Sequence, residues 1–73
     1  MPKLYSARQI VKALQRIGFE IVSQKGNHIK LRGIFDGETY TAIVPNHKEV
    51  ALGTLQSILK QVGITREELE ENI

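Results

Sequence analysis

Apolar residues recur at helical spacing in two stretches of the chain. Ile10, Val11, Leu14 and Ile17 form one stripe, with Arg8, Lys12, Gln15 and Arg16 lying away from it. Leu55, Ile58, Leu59 and Val62 form the other. Steps of three and four residues put each set on one face of a helix. The first helix begins at Ser6. Ser6-Ala7-Arg8-Gln9 fits a capping box, in which the Ser6 hydroxyl accepts from the Gln9 amide and the Gln9 side chain reaches back. Tyr5 and Ile10 stand where a hydrophobic staple crosses that cap. Gly18 and Gly63 stop the two helices, because glycine takes the left-handed conformation of a helix end at little cost. Gly53-Thr54 is read as the opening of the second helix. Thr65 with Glu68 predicts another capping box and a short last helix ending near Asn72.

Between the helices the period changes to two. Phe19 to Gln24 is a strand candidate, with Phe19 and Ile21 on one face and Glu20 and Val22 on the other. Lys25-Gly26-Asn27 reads as a tight turn. His28 to Phe35 and Glu38 to Val44 are two further strands, joined by Asp36-Gly37. That dipeptide is a strong two-residue hairpin signal, since a type I′ turn needs positive φ at both positions. The turn sets a register in which Phe35 faces Glu38, Gly33 faces Tyr40, Leu31 faces Ala42 and Ile29 faces Val44. This face is mostly apolar. His28, Lys30 and Arg32 fall on the opposite face with Thr41 and Ile43, and strict alternation sends that row towards solvent. Pro45 ends the third strand because it has no N–H for the ladder. Asn46 to Leu52 is a connection carrying His47 and Lys48.

The expected fold is therefore α+β, in the order α-β-β-β-α. A three-stranded antiparallel sheet packs one face on two helices, with a short extra helix at the C-terminus. Ile10, Leu14, Ile17, Ile29, Leu31, Val44, Leu55, Ile58 and Leu59 are its expected core. With 73 residues the chain has room for one domain, taken as residues 1–73. That length excludes doubly wound nucleotide-binding folds.

Charge sharpens the picture. The net charge is +2. Residues 1–64 hold nine lysines and arginines against four acids, whereas residues 65–73 hold Arg66 against four glutamates. A basic body with an acidic tail is suited to a polyanionic partner, although an ordinary solvated surface has the same composition. There are no cysteines, which removes disulfides, thiolate zinc sites and thiol catalysis. No apolar run reaches the 18 or so residues of a membrane span, and the N-terminus lacks an apolar signal core, so a cytoplasmic protein is expected.

Candidate chemistry centres on His28. It follows the Lys25-Gly26-Asn27 turn and stands in line with Lys30 and Arg32. Imidazole is the side chain that exchanges protons near neutral pH. A lone surface histidine without a role gives the same pattern. Gly26 is explained by positive φ in a turn, and a bare backbone there also lets a phosphate approach amide donors closely. His47 and Lys48 are loop residues placed to touch a ligand. Two histidines without clustered carboxylates or thiols do not complete a metal site, so neither metal nor cofactor is expected. No nucleophile elbow, P-loop or dinucleotide fingerprint is present.

Three separated segments carry a resemblance: Ser23-Gln24-Lys25-Gly26-Asn27-His28, then Val44-Pro45-Asn46-His47-Lys48-Glu49, then Gly53-Thr54-Leu55-Gln56-Ser57-Ile58-Leu59-Lys60-Gln61. In this order they resemble the HicA (YcfA-like) toxin family, from the first helix to Ile64. The family's fold is similar to the double-stranded-RNA-binding domain. The resemblance implies an mRNA-cleaving endoribonuclease toxin of a type II toxin–antitoxin pair, neutralised by a HicB-type antitoxin. It implies His28 as the catalytic histidine of a Gly-x-His motif. Family members usually carry serine between the two and an aromatic residue after the histidine; Asn27 and Ile29 stand here. Lys25, Gly26, Asn27, Lys30, Arg32, His47 and Lys48 are the candidate contacts to single-stranded RNA. A non-catalytic RNA-binding or protein-interaction module of the same fold is the alternative. Duplex binders place a lysine cluster at the start of the second main helix, whereas this chain has Lys48 before that helix and Lys60 near its end.

Overall fold

The computed structural model describes residues 3–73 and runs α1 (Ala7–Ile17), β1 (Glu20–Lys25), β2 (His28–Phe35), β3 (Glu38–Pro45), α2 (Leu52–Val62), α3 (Arg66–Glu70). The three strands form one antiparallel sheet in the order β1-β2-β3. This is the α+β layout expected from the sequence, compatible with a double-stranded-RNA-binding-domain-like α-β-β-β-α arrangement. Among the described residues, no helix is long and apolar enough to cross a membrane.

Local signals act where they were expected. Ser6 Oγ accepts from the Gln9 N–H at 3.1 Å, and Gln9 Oε1 accepts from the Ser6 N–H at 3.0 Å. Thr65 and Glu68 exchange the same pair of bonds, both at 3.1 Å, at the start of α3. Asp36 and Gly37 both have positive φ, 51° and 79°, as a type I′ turn demands. The β2–β3 register is the expected one, Phe35 opposite Glu38 through Ile29 opposite Val44.

The core is the apolar face of β2 and β3 under α1 and α2. Ile10, Leu14, Leu31, Val44, Leu55 and Ile58 are fully buried, and Ile29 and Leu59 nearly so. Ile17 is only half-buried at the end of α1. At that end of the sheet Phe19, Phe35 and Tyr40 cluster, with ring centroids 5.2 and 6.1 Å apart. Gly33 lies beneath these rings, and a Cβ there would sit 2.7 Å from Phe35 and 2.9 Å from Phe19. The glycine in the middle of β2 is the condition for the aromatic cluster to close.

Two expected boundaries are corrected. The first strand runs Glu20–Lys25 rather than from Phe19 to Gln24. Phe19 and Ile21 share a face as expected, with Ile21 opposite the buried Leu31, but Phe19 is buried while Ile21 is 44% exposed on the edge strand. β1 is an edge strand, and the register shifts between Ile21 and Ser23 where Val22 is the extra residue of a bulge. The second helix starts at Leu52, ahead of Gly53-Thr54, and its cap position, Ala51, makes no side-chain hydrogen bond. The 46–51 connection supplies the order instead: the Ala7 N–H donates to the His47 carbonyl at 2.9 Å and the Val50 N–H to the Tyr5 carbonyl at 2.8 Å. Val50 is thereby buried in the core, unforeseen.

The acidic tail is also built in. Leu69 of α3 is fully buried. Tyr5 donates its hydroxyl to Glu70 Oε2 at 2.5 Å, Arg66 Nε donates to the same oxygen at 3.1 Å, and Arg66 Nη2 donates to the Lys3 carbonyl at 2.7 Å. The Tyr5 hydroxyl, then the Arg66 guanidinium, hold the Glu70 carboxyl below its ordinary range, while the same bond pushes the Tyr5 hydroxyl up. A depressed carboxyl contributes stability above its unfolded pKa and loses it as pH falls through the folded value. The thermal stability margin of wild type over Glu70→Gln is therefore expected to be full at neutral pH and to shrink through the acidic range. Melting curves recorded at falling pH check this, and a constant margin would contradict it.

Candidate active site

The site grows from the start of β2. The turn before it contains Gly26 with φ 57°, while Asn27 has an ordinary negative φ. Positive φ at only the first central residue is what a II′ hairpin requires, and glycine supplies it. The turn pairs Lys25 directly with His28. His28 is paired on its other side with Pro45. Lys25, His28 and Pro45 thus form a row across one end of the sheet. The Asn46 N–H donates to the Asn27 carbonyl at 2.6 Å, and the His47 N–H turns back onto the Pro45 carbonyl at 2.8 Å. These bonds hold the 46–48 loop, with exposed His47 and Lys48, alongside the 26–27 turn. Lys25, Gly26, Asn27, His28, His47 and Lys48 are therefore gathered at one end of the molecule.

Lys30 and Arg32 continue the row along β2 on the face away from the helices. Arg32 is exposed, whereas Lys30 is half-buried between Ser23 of β1 and Ile43 of β3. Four residues separate His28 from Arg32, about 13 Å at a rise of about 3.3 Å per residue. Arg32 therefore belongs to the far end of the face and not to the His28 cluster. Among the described residues, none of these side chains makes a hydrogen bond or an ion pair within the chain; the salt bridge present is Arg66–Glu70. Lys25, His28, Arg32, His47 and Lys48 are exposed and leave their side-chain donors unused within the described residues. A Cβ at Gly26 would meet nothing within 4 Å, so the turn is also open to close approach. Among the described residues, no three histidines, cysteines or acids gather as a metal would need.

An exposed imidazole flanked by ammonium groups on a rigid strand suits proton transfer beside an anion. The strand fixes the imidazole's position, the lysines attract the charge, and the open turn admits it. Two features of this face escaped the sequence. Glu20 lies directly opposite Arg32, and Val22 and Ile34 add exposed apolar groups to the Ile43 already expected there. The alternation along β1 had put Glu20 and Val22 together, but only the paired register brings them to Arg32.

Residues 7–64 match the family model described as HicA toxin of bacterial toxin-antitoxin. No curated protein matches the chain. The match begins on the first residue of α1 and ends just after Gly63, so it takes in the whole sheet, the turn at His28 and α2, and leaves α3 outside. With four-fifths of its length inside that match, the chain belongs to the HicA toxin family.

Proposed function

We propose that the chain, acting as one domain over residues 1–73, is a single-histidine endoribonuclease that cleaves mRNA in the cytoplasm and is neutralised by a HicB-type antitoxin. The observation that carries this is an exposed His28 opposite Lys25, where turn, strand and loop gather cationic donors, in a member of a toxin family. RNA brings its own nucleophile. The 2′ hydroxyl loses a proton and its oxygen bonds to the adjacent phosphorus, while the bond to the 5′ oxygen breaks and that oxygen takes up a proton. His28 serves one of these transfers, and Lys25 and Lys30 stabilise charge on the phosphoryl oxygens. A metal is not required by this route.

The same face suits an antitoxin. Exposed Ile43 sits beside Lys30, so a partner that is acidic with an apolar contact residue would cover both and deny RNA the row. Expression of the chain alone is expected to arrest growth. Co-expression of the antitoxin should relieve the arrest, and a chain carrying His28→Ala should cause none. Growth arrest by the folded His28→Ala chain would overturn the assignment.

Electrostatic contact makes a separate prediction. Measured in a His28→Ala background, Lys25→Ala should weaken RNA binding across sequences and flatten the salt dependence of log K by about 0.7 for one single-strand phosphate contact. An unchanged slope would remove Lys25 from the RNA path.

A further inference from the structure

At the far end of the sheet face from His28 the β1 bulge opens a groove of about 440 Å³, lined by Gly18, Glu20, Val22, Arg32, Gly33 and Ile34. The volume is within the range of small-ligand sites. Ile21 pairs with Leu31 and Ser23 with Lys30, so Val22 is the extra residue, and a bulge of this kind bends its strand. The walls are of three chemistries. Ile34, 67% exposed, and Val22, 41% exposed, are apolar and unpartnered. Arg32 offers a planar guanidinium with no ion pair among the described residues, and Glu20 offers a carboxylate directly across the ladder.

We propose that this groove is a nucleobase subsite that selects guanine in single-stranded RNA. This rests on the assignment of the His28 row as the RNA track. Each wall excludes a simpler occupant. A phosphate would be repelled by Glu20. A purely apolar side chain would leave Glu20 and Arg32 only each other across the ladder and use none of their hydrogen-bonding capacity. A flat base satisfies all three, with its faces against the Arg32 plane and the Ile34 and Val22 side chains, and its edge towards Glu20. Stacking on guanidinium planes and hydrogen bonding of the splayed base edge are how single-stranded RNA is read. An ionised carboxylate only accepts, and it accepts two parallel bonds. Guanine presents two adjacent donors, N1–H and the N2 amino group. Adenine and cytosine present one amino donor beside an acceptor that repels the carboxylate, and uracil presents one N–H between two carbonyls. The groove is about 13 Å from His28 along β2, so the selected base lies a few nucleotides from the cleaved bond.

The test is an amide-resolved NMR titration of the full chain with GMP, AMP, CMP and UMP, whose common phosphate cancels the charge effect. GMP is expected to move the amides of Glu20, Val22, Arg32 and Gly33 and to bind more tightly than AMP. One good bidentate pair is worth roughly 5- to 150-fold in discrimination, and Glu20→Gln should bring that ratio towards one. In parallel, mapping cuts on a mixed-sequence RNA should find guanine enriched at a fixed offset from the cleaved bond, an enrichment that Glu20→Gln flattens. Equal response to all four nucleotides, or a GMP preference that survives Glu20→Gln, would overturn the subsite. So would amides that ignore every nucleotide and move only when antitoxin is added, which would make the groove a protein contact. The two assignments separate cleanly. If cutting does not depend on His28 but GMP discrimination holds at Glu20, the nuclease assignment fails and the base site stands. If His28-dependent cutting holds and GMP does not discriminate, the base site alone fails.

Discussion

His28→Ala is expected to abolish RNA cleavage while leaving the fold as stable as wild type. A positioned imidazole contributes typically about 10²–10⁴-fold to proton transfer, and no second histidine shares the β2 row to replace it. His47 is held on the neighbouring loop through its backbone, its N–H to Pro45 and its carbonyl to Ala7. The stability half of the prediction follows from exposure. His28 lies on the wet face and makes no side-chain hydrogen bond among the described residues, so truncation should cost no more than about 0.5 kcal/mol. Cleavage measured on an unstructured RNA, with thermal melts of the same preparations, reads both halves. A folded His28→Ala protein that cuts at the wild-type rate would end the assignment.

The second large effect is structural and lies outside the part of the chain that matches the family. Leu69→Ala should destabilise the protein by about 2–5 kcal/mol, the usual cost of cutting a buried leucine to alanine. A chain of this length has a total stability of only about 4–11 kcal/mol at roughly 0.05–0.15 kcal/mol per residue. The substitution therefore threatens the whole fold. Leu69 is fully buried on a helix of only five residues, α3, whose capping box alone would not hold it folded. Its burial against α1, with the Tyr5–Glu70–Arg66 bonds, fastens the C-terminus to the start of the domain. Ile73→Ala, at a residue 38% exposed, is the control and should change little. Urea unfolding of the two variants decides the matter: equal midpoints would mean that α3 does not dock.

Both outcomes depend on features of different origin. The β2–β3 hairpin was legible in the sequence because Asp36-Gly37 admits one turn type, and the turn sets every pair from Phe35–Glu38 to His28–Pro45. The row of His28, Lys30 and Arg32 followed from strand alternation alone. Helix starts at Ser6 and Thr65 were equally legible, since each capping box closes within four residues. The capping boxes are contacts between near neighbours, and the hairpin pairs follow stepwise from one two-residue turn, so residue type and spacing are sufficient.

The rest needed the folded chain. The bulge at Val22 exists because β1 is an edge strand, free on one side to take an extra residue, and nothing in its own alternation marks that. The meeting of Glu20 with Arg32 depends on this bulge. The tie from Asn46 to Asn27, which sets His47 and Lys48 beside the 26–27 turn, and the bond from Tyr5 to Glu70 join residues 19 and 65 positions apart. Leu69 reads as one leucine in an acidic helix until α1 covers it. Such partners are chosen by which surfaces the sheet and helices bring within reach, and a hydrogen bond or a buried side chain carries no mark in the sequence of the distant residue that completes it.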